Sequence, residues 1–329
     1  MSAAGKGAIL VTGAAGFIGS RVCRFLLQDG REVIGIDNLN DAYDTRLKYW
    51  RLEQLQSMPG FTFHQLDITD LYGMENALGA AGIESVINLA ARAGVRASLD
   101  NPWLFVDTNL TGTLNLLELC HRHGIEKFIL ASTSSIYGKD APQPTPEDAD
   151  SSKPLQPYAA SKKSAEAMAH AYHYLYGIDV SVVRYFTVYG PAGRPDMVMF
   201  RFCQWIAEGR TVHLNGDGSQ SRGFTYVDDI ARGTIQALRP LGYEIINLGG
   251  HEVMSINDMI AALESMLGQK AHVERHPFHK ADMLSNWADV GKACRLLGWQ
   301  PQVGLQEGMQ QLVDWYLAER TWASQVLTP

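Results

Sequence analysis

Residues 8–19, AILVTGAAGFIG, constrain the fold of this chain more than any other stretch. A short apolar run of strand type ends in Gly13, Gly16 and Gly19 and continues into a helical pattern. In a strand–turn–helix unit such glycines let the backbone approach a pyrophosphate and aim a helix N-terminus at its charge. Three glycines also occur in ordinary turns, so the motif carries weight only in context. The sequence supplies that context by continuing to alternate strands with helices.

Strands are predicted at 8–12, 32–36, 61–66, 84–89, 126–131 and 179–184, with helices at 17–29, 45–57, 70–80, 102–123 and 157–176 between them. This alternation is the βαβ pattern of a parallel sheet covered on both faces. The fold class is therefore α/β, a Rossmann-like doubly wound parallel sheet with a smaller C-terminal α/β lobe. Beyond about residue 186 Gly and Pro cluster in YGPAGRPDM and NGDGSQSRG, and strands shorten. The boundaries expected are 1–185 for the nucleotide-binding domain and 186–329 for the second lobe. EIINLGG at 244–250 reads as a core strand, so a segment of about 225–250 returns to the first domain.

Composition removes several function classes. A net charge of −7 on 329 residues, with no basic stripe on any helix, leaves no electrostatic footprint for nucleic acid. No apolar run reaches the roughly 20 residues needed to span a bilayer. MSAAGKGAIL leads straight into the first strand, which leaves no room for a signal peptide. Cys23, Cys120, Cys203 and Cys294 are scattered, as reduced packing residues in a cytoplasmic protein would be.

Tyr158 and Lys162 in PYAASKKSAE form a Tyr-x-x-x-Lys pair on one helix. A free Tyr is a poor base at neutral pH, with a pKa of about 10. An opposite charge nearby lowers such a value by roughly 1–3. Lys162 one turn on supplies that charge, and a nicotinamide cation pushes the same way. Asp37 ends the second strand roughly 20 residues beyond the glycines, where an acid holds the adenosine ribose. An Asp there repels a ribose 2′-phosphate, and the neighbouring Asn38 is not an Arg, so NAD is favoured over NADP. Phe17 and Ile18 inside the glycine turn and Asn40 in DNLND join this set. Asp67 and Ile68 follow the third strand near the adenine position, although Asp67 serves equally well as a cap for the helix from 70. Leu89, Ala90 and Ala91 in INLAA permit close approach of the cofactor.

TGAAGFIG, DNLND, NLAA, VDTNLTGT, STSSIYG, YAASK, RYF and FTYVDD occur in order over almost the whole chain. Together they resemble the extended short-chain dehydrogenase/reductase family. The resemblance implies a Rossmann fold, bound NAD, a Thr133–Tyr158–Lys162 triad and a nucleotide-sugar substrate. It also implies that Asn109 is the structural or cofactor-site Asn and that Tyr185 lies near the nicotinamide ribose. Within the family AGVRAS (93–98) and RYFTVYGPAGRPDMVMF (184–200) resemble UDP-glucuronate 4-epimerases. That resemblance implies interconversion of UDP-glucuronate and UDP-galacturonate through a transient 4-keto sugar. It also implies a homodimer in which helices 102–123 and 157–176 pair with their copies.

UDP-glucose 4-epimerases carry Asn where this chain has Thr187, and they lack Arg194. Both differences suit a carboxylate, since Arg offers a bidentate fit. Taken alone, Arg194 could equally be a surface loop cation. Arg194, Thr187, Arg96, Ser98, Ser134 and Ser135 are the residues expected to hold the carboxylate. UDP-glucuronate decarboxylases have Glu, and 4,6-dehydratases Asp-Glu, where Thr133 is followed by Ser134 and Ser135. No carboxyl acid is there to protonate a leaving group, which argues for epimerisation alone. Arg222 lacks the Asp that often follows it, because Gly223 stands there. His279 and Asp282 occupy the segment that commonly meets pyrophosphate and ribose.

The alternatives are a UDP-glucose 4-epimerase, a UDP-glucuronate decarboxylase, or a non-catalytic NAD-binding protein. The last typically loses Tyr158 or Lys162. His272, His276 and His279 lie on a strand and loop with no completing ligand pattern, so no metal is expected.

Overall fold

The computed structural model describes residues 7–79, 81–278 and 285–328. Its strands are β1 (Ala8–Thr12), β2 (Val33–Asp37), β3 (Phe61–Gln65), β4 (Ile83–Asn88), β5 (Lys127–Thr133), β6 (Asp179–Tyr185), β7 (Thr187–Tyr189), β8 (Thr211–Asn215), β9 (Ser221–Tyr226), β10 (Tyr243–Leu248), β11 (Glu252–Ser255), β12 (His272–His276) and β13 (Ser285–Asn286). Helices are α1 (Phe17–Gln28), α2 (Arg46–Gln56), α3 (Leu71–Leu78), α4 (Ala97–Asp100), α5 (Pro102–Val106), α6 (Gly112–His123), α7 (Pro157–Tyr176), α8 (Val198–Ala207), α9 (Val227–Gln236), α10 (Ile256–Leu267), α11 (Gly291–Leu297), α12 (Leu305–Ala318) and α13 (Arg320–Ala323).

Seven parallel strands form one sheet in the order β3-β2-β1-β4-β5-β6-β10. Strand order reverses between β1 and β4, and ligands of such sheets bind at the carboxyl ends flanking that point. β2, β5 and β6 are buried almost throughout, as strands covered on both faces must be. One core lies on the α1 and α9 face, with Ile9, Val11, Val22, Leu26, Val227 and Ile230. The other lies under α3, α6 and α7, with Leu10, Val86, Leu116, Phe128, Ala165 and Val182. Apolar residues alternate between these faces along β1, as a period of two requires. None of the described helices is long and apolar enough to cross a membrane.

The smaller lobe packs α8, α10 and α12 around its own core, which includes Phe202, Leu263 and Met309. Two small sheets edge it. In one, β9 pairs with β7, β11 and β13, and in the other β8 pairs with β12.

One predicted element differs from the structure. The helix expected at 102–123 is interrupted by a π-helical turn at Asp107–Thr111 between α5 and α6. Asn109 sits in that turn. Its side chain exchanges hydrogen bonds with the Arg92 backbone at 2.8 and 3.0 Å and donates to Ser161 Oγ at 2.9 Å. The widened turn aims Asn109 at the loop after β4 and at α7 together, a common use of π turns near functional sites.

Candidate active site

The nucleotide end of the cleft begins where β1 stops. Gly13 has φ 68°, and a side chain there would meet the Ala90 amide at 2.8 Å. A Cβ on Gly19 would lie 2.1 Å from the Gly13 carbonyl. Helix α1 therefore starts tight against the turn, with Gly16 as an N-cap that offers no side-chain acceptor. Its first amides are left to an anion, as a pyrophosphate cradle requires. Phe17 is buried beneath this turn and Ile18 packs partly on the same core. Thr12 accepts from the Ala90 amide at 3.1 Å and donates to Asn88 at 2.8 Å, tying the ends of β1 and β4 together. Leu89, Ala90 and Ala91 follow β4 directly, half-buried or exposed at its carboxyl end.

Asp37 ends β2 and accepts from the Leu39 amide at 2.8 Å and Lys48 Nζ at 3.4 Å. Asn38 donates to Asp67 at 2.6 Å and accepts from the Asn40 amide at 3.2 Å. Burial raises the Asp67 carboxyl, but the Thr69 amide, Asn38 and the Thr69 hydroxyl outweigh it and hold Asp67 below the usual carboxylate range. The cap of α3 is made by Asp70, whose side chain accepts from the Gly73 amide at 2.9 Å. Asp67 is thereby left on the cleft side with Asn38, while Ile68 is buried against Gly112. A tight glycine turn, an uncapped helix start and an acid ending the second strand fit a dinucleotide that carries no 2′-phosphate.

The reacting end is built on β5 and α7. Thr133 is the last residue of β5, in register with Tyr185 of β6. Its hydroxyl stands close enough to the Tyr158 phenol to lower its pKa. It also accepts from the Ser135 amide and donates to the Ser135 hydroxyl, both at 3.2 Å. Ser134 is buried and accepts from Asn286 at 3.0 Å. Burial raises the Tyr158 phenol, while Thr133 and the positive charge of Arg194 pull it back down. Phe105 packs edge-on to the Tyr158 ring, with centroids 6.2 Å apart. Lys162, 2% exposed, is pushed down to about 8 by burial, against the opposing pull of Glu166.

Beneath Lys162 lies a charged network that sequence motifs do not announce. Arg184 grips Glu166 with two hydrogen bonds of 2.9 and 2.8 Å, and Ser132 donates to the same carboxylate at 2.6 Å. Arg184 also reaches the Tyr137 hydroxyl at 2.9 Å, and Tyr137 donates to Asn247 at 2.6 Å. β5, β6, α7 and β10 are thus locked together directly below the triad. The Tyr185 hydroxyl is buried and pairs with Thr234 at 2.7 Å, facing α9.

Arg194 brings the second lobe's entrance loop to this point. Its Nε and Nη2 hold Asp196 at 3.0 and 2.6 Å, and Nη2 reaches the Ala93 carbonyl at 3.3 Å. Arg51, buried on α2, fixes that loop to the nucleotide turn. It donates to the Ala192 carbonyl at 2.6 Å and to the Ala15 carbonyl at 3.1 Å. Thr187 opens β7, half-buried beside these groups in the chain. Ser98 is fully buried and donates to the Val95 carbonyl at 2.7 Å, so its hydroxyl closes its own turn. Arg96 is exposed and lines a depression with Arg201, Trp205, Arg210, His213 and Asn215. Arg222 lies on β9 and donates to the Ser221 carbonyl at 2.7 Å. His279 and Asp282 lie outside the described residues.

A family model described as the NAD dependent epimerase/dehydratase family matches residues 9–249. The chain belongs to this family. Among its relatives is a UDP-glucuronate 4-epimerase of Thermodesulfobacterium geofontis, 57% identical over 310 residues, which are 94% of this chain and 96% of that one. A solved UDP-glucuronic acid 4-epimerase from Bacillus cereus, in complex with UDP-glucuronic acid and NAD, matches with a TM-score of 0.88. It is 38% identical, and the match covers 95% of this chain and 99% of that one. A Thermotoga maritima UDP-glucose 4-epimerase with UDP-glucose matches with a TM-score of 0.89 at 33% identity, over 95% and 99% of the two chains. Fold similarity therefore does not separate acidic from neutral sugars within the family. The separation must come from side chains in the cleft.

Proposed function

We propose that this protein is an NAD-dependent UDP-glucuronate 4-epimerase, an isomerase that interconverts UDP-glucuronate and UDP-galacturonate. The observation that carries the acidic substrate is Arg194, a guanidinium close enough to Tyr158 to lower its pKa. A sugar whose 4-hydroxyl meets Tyr158 presents its C5 substituent one carbon away. A positive charge at that place suits a carboxylate and does little for the neutral hydroxymethyl of UDP-glucose. Asp196 and Ala93 engage Nε and Nη2 of Arg194, so an incoming carboxylate meets Nη1.

Bound NAD takes the hydride from sugar carbon 4 and later returns it. The Gly13–Gly19 turn and Asp37 hold the dinucleotide, with Asn38, Asp67 and the loop of Leu89–Ala91 around it. Tyr158, as phenolate, takes the proton of the sugar 4-hydroxyl, and Thr133 holds that oxygen by hydrogen bonding. Lys162 holds the nicotinamide ribose, and Arg194 keeps positive charge near Tyr158. The 4-keto sugar turns about its phosphate linkage and is reduced on its opposite face, and Tyr158 gives the proton back. No net redox change results.

A 4-keto uronate is a β-keto acid, which loses carbon dioxide readily once its carboxylate leaves the ketone plane. Decarboxylation removes the carboxylate's negative charge. Cations and donors that stabilise that charge therefore raise the barrier to losing it. We assign this to Arg194, helped by Thr187, Arg96, Ser134 and Ser135, with Arg222 toward the nucleotide. Ser98 contributes through the shape of its turn. The test is the ratio of kcat/KM for UDP-glucuronate to that for UDP-glucose. A strong preference for the acid that collapses in Arg194→Ala, with UDP-pentose among the products, is expected. A wild type that prefers UDP-glucose overturns the assignment.

We further propose a homodimer through α5, α6 and α7. Trp103 and Tyr174 on these helices are 77% and 80% exposed, and Leu175 and Tyr176 are exposed beside Tyr174. A four-helix contact with a second copy would bury them. Light scattering at micromolar concentration should give twice the monomer mass, and a monomer refutes the assignment.

A further inference from the structure

The small sheet of β8 and β12 gathers side chains that the epimerase chemistry does not use. Its parallel register sets Glu274 opposite His213 and His276 opposite Asn215. Positions 274 and 276 share one face of β12 because side chains alternate along a strand. His213 Nδ1 lies 3.1 Å from His276 Nε2. Glu274 places one carboxylate oxygen 3.8 Å from His213 Nδ1 and the other 3.6 Å from His276 Nε2. One ligand atom from each of the three residues falls within 4.8 Å of the others.

A tetrahedral ion with bonds of about 2.0–2.1 Å to nitrogen and oxygen has ligand atoms about 3.3 Å apart. The two imidazole nitrogens stand near that edge, while the two Glu274 distances belong to different carboxylate oxygens, so the Glu274 side chain must rotate to bring one oxygen onto the same face. The fourth position points to solvent, since His213 and Glu274 are exposed and His276 half-buried. Trp205 packs edge-on against the His213 imidazole with centroids 5.7 Å apart, which restrains that ring. Two imidazoles and one carboxylate are a ligand set that suits zinc. Arg201 and Arg210 line the depression that His213 also borders, and their charge opposes a cation. Glu274 offsets part of that repulsion.

We propose that His213, Glu274 and His276 form a binding site for Zn²⁺ on the smaller lobe. The absence of a metal expected from sequence rested on His272, His276 and His279 alone, within one segment. The ligand that completes the set, His213, lies 63 residues before His276. Only the pairing of β8 with β12 brings the two together.

The test is a titration of the full-length, untagged, chelator-treated protein with Co²⁺, followed by its visible absorption. One equivalent should bind with the intense bands of four-coordinate cobalt, and Zn²⁺ should displace it. His213→Ala and His276→Ala should each weaken binding at least tenfold, and Glu274→Gln should weaken it less. Circular dichroism of the metal-free variants checks that the fold is retained. Wild type that binds no Co²⁺ at millimolar concentration overturns the proposal. So does unchanged binding in the folded double variant His213→Ala/His276→Ala.

Discussion

Lys162 should destabilise the protein that needs it, and replacing it with Met should reveal by how much. Burial moves the Lys162 amine from its ordinary 10.5 to about 8. That drop of about 2.5, at roughly 1.4 kcal/mol each, corresponds to about 3 kcal/mol. Folded Lys162 releases its proton near pH 8, whereas the unfolded chain keeps it to about 10.5. Below pH 8 both states are protonated and the whole penalty is present. Between the two values the unfolded chain binds more protons, so stability rises with pH. Above 10.5 both are neutral and the penalty is gone. Met is of similar length, carries no charge and packs adaptably. Cofactor-free Lys162→Met should therefore be more stable than wild type by up to about 3 kcal/mol at pH 7, and the gain should fade by about pH 10. Urea unfolding of both proteins at pH 7, 8.5 and 10 measures this. NAD should narrow the gap, because its ribose gives the wild-type amine partners that Met cannot use. Equal or lower stability of the variant at pH 7, or a gain that does not fade with pH, would mean that burial does not penalise the charged Lys162 amine.

Tyr158→Phe should keep nucleotide-sugar and NAD binding and lower kcat by roughly 10²–10⁴-fold, the usual contribution of a positioned acid–base group. Full turnover in that variant removes Tyr158 from the proton path. Glu166→Ala leaves Arg184 charged, buried and unpaired, and should cost about 3–5 kcal/mol in denaturant unfolding. A loss under 1 kcal/mol would mean that water reaches Arg184. Gly19→Ala should weaken NAD binding at least tenfold by calorimetry, because its Cβ would lie 2.1 Å from the Gly13 carbonyl and force α1 away. Unchanged affinity would show that the turn adjusts freely.

The fold class was legible because β1 to β6 are short apolar runs separated by helical patterns. Their limits fall within about two residues of those read from sequence, as helix and strand ends usually do. The π turn at Asp107–Thr111 was not legible, because the contacts that Asn109 makes there, with Arg92 and Ser161, are long-range. Local motifs pointed to Thr133, Tyr158 and Lys162. What surrounds them is long-range and left no local signal. Arg51 joins segments 141 residues apart when it reaches Ala192, and nothing in RLKYWRLEQ marks it. The Glu166–Arg184 pair is equally silent, since Arg184 sits in an apolar strand where only its partner makes it tolerable. Lys162 was expected to be the cation that acts on Tyr158. The positive charge that lowers the Tyr158 phenol in the chain itself is Arg194. Asp67 was ambiguous until Asp70 proved to cap α3.

The most direct measurement is proton NMR of the purified protein, without added cofactor, incubated with UDP-glucuronate. A mixture with UDP-galacturonate is expected, with no UDP-pentose and no net reduction of NAD. Accumulation of UDP-pentose would contradict the carboxylate-holding role of Arg194. No conversion even after NAD is added, together with epimerisation of UDP-glucose, would contradict the assignment of an acidic substrate altogether.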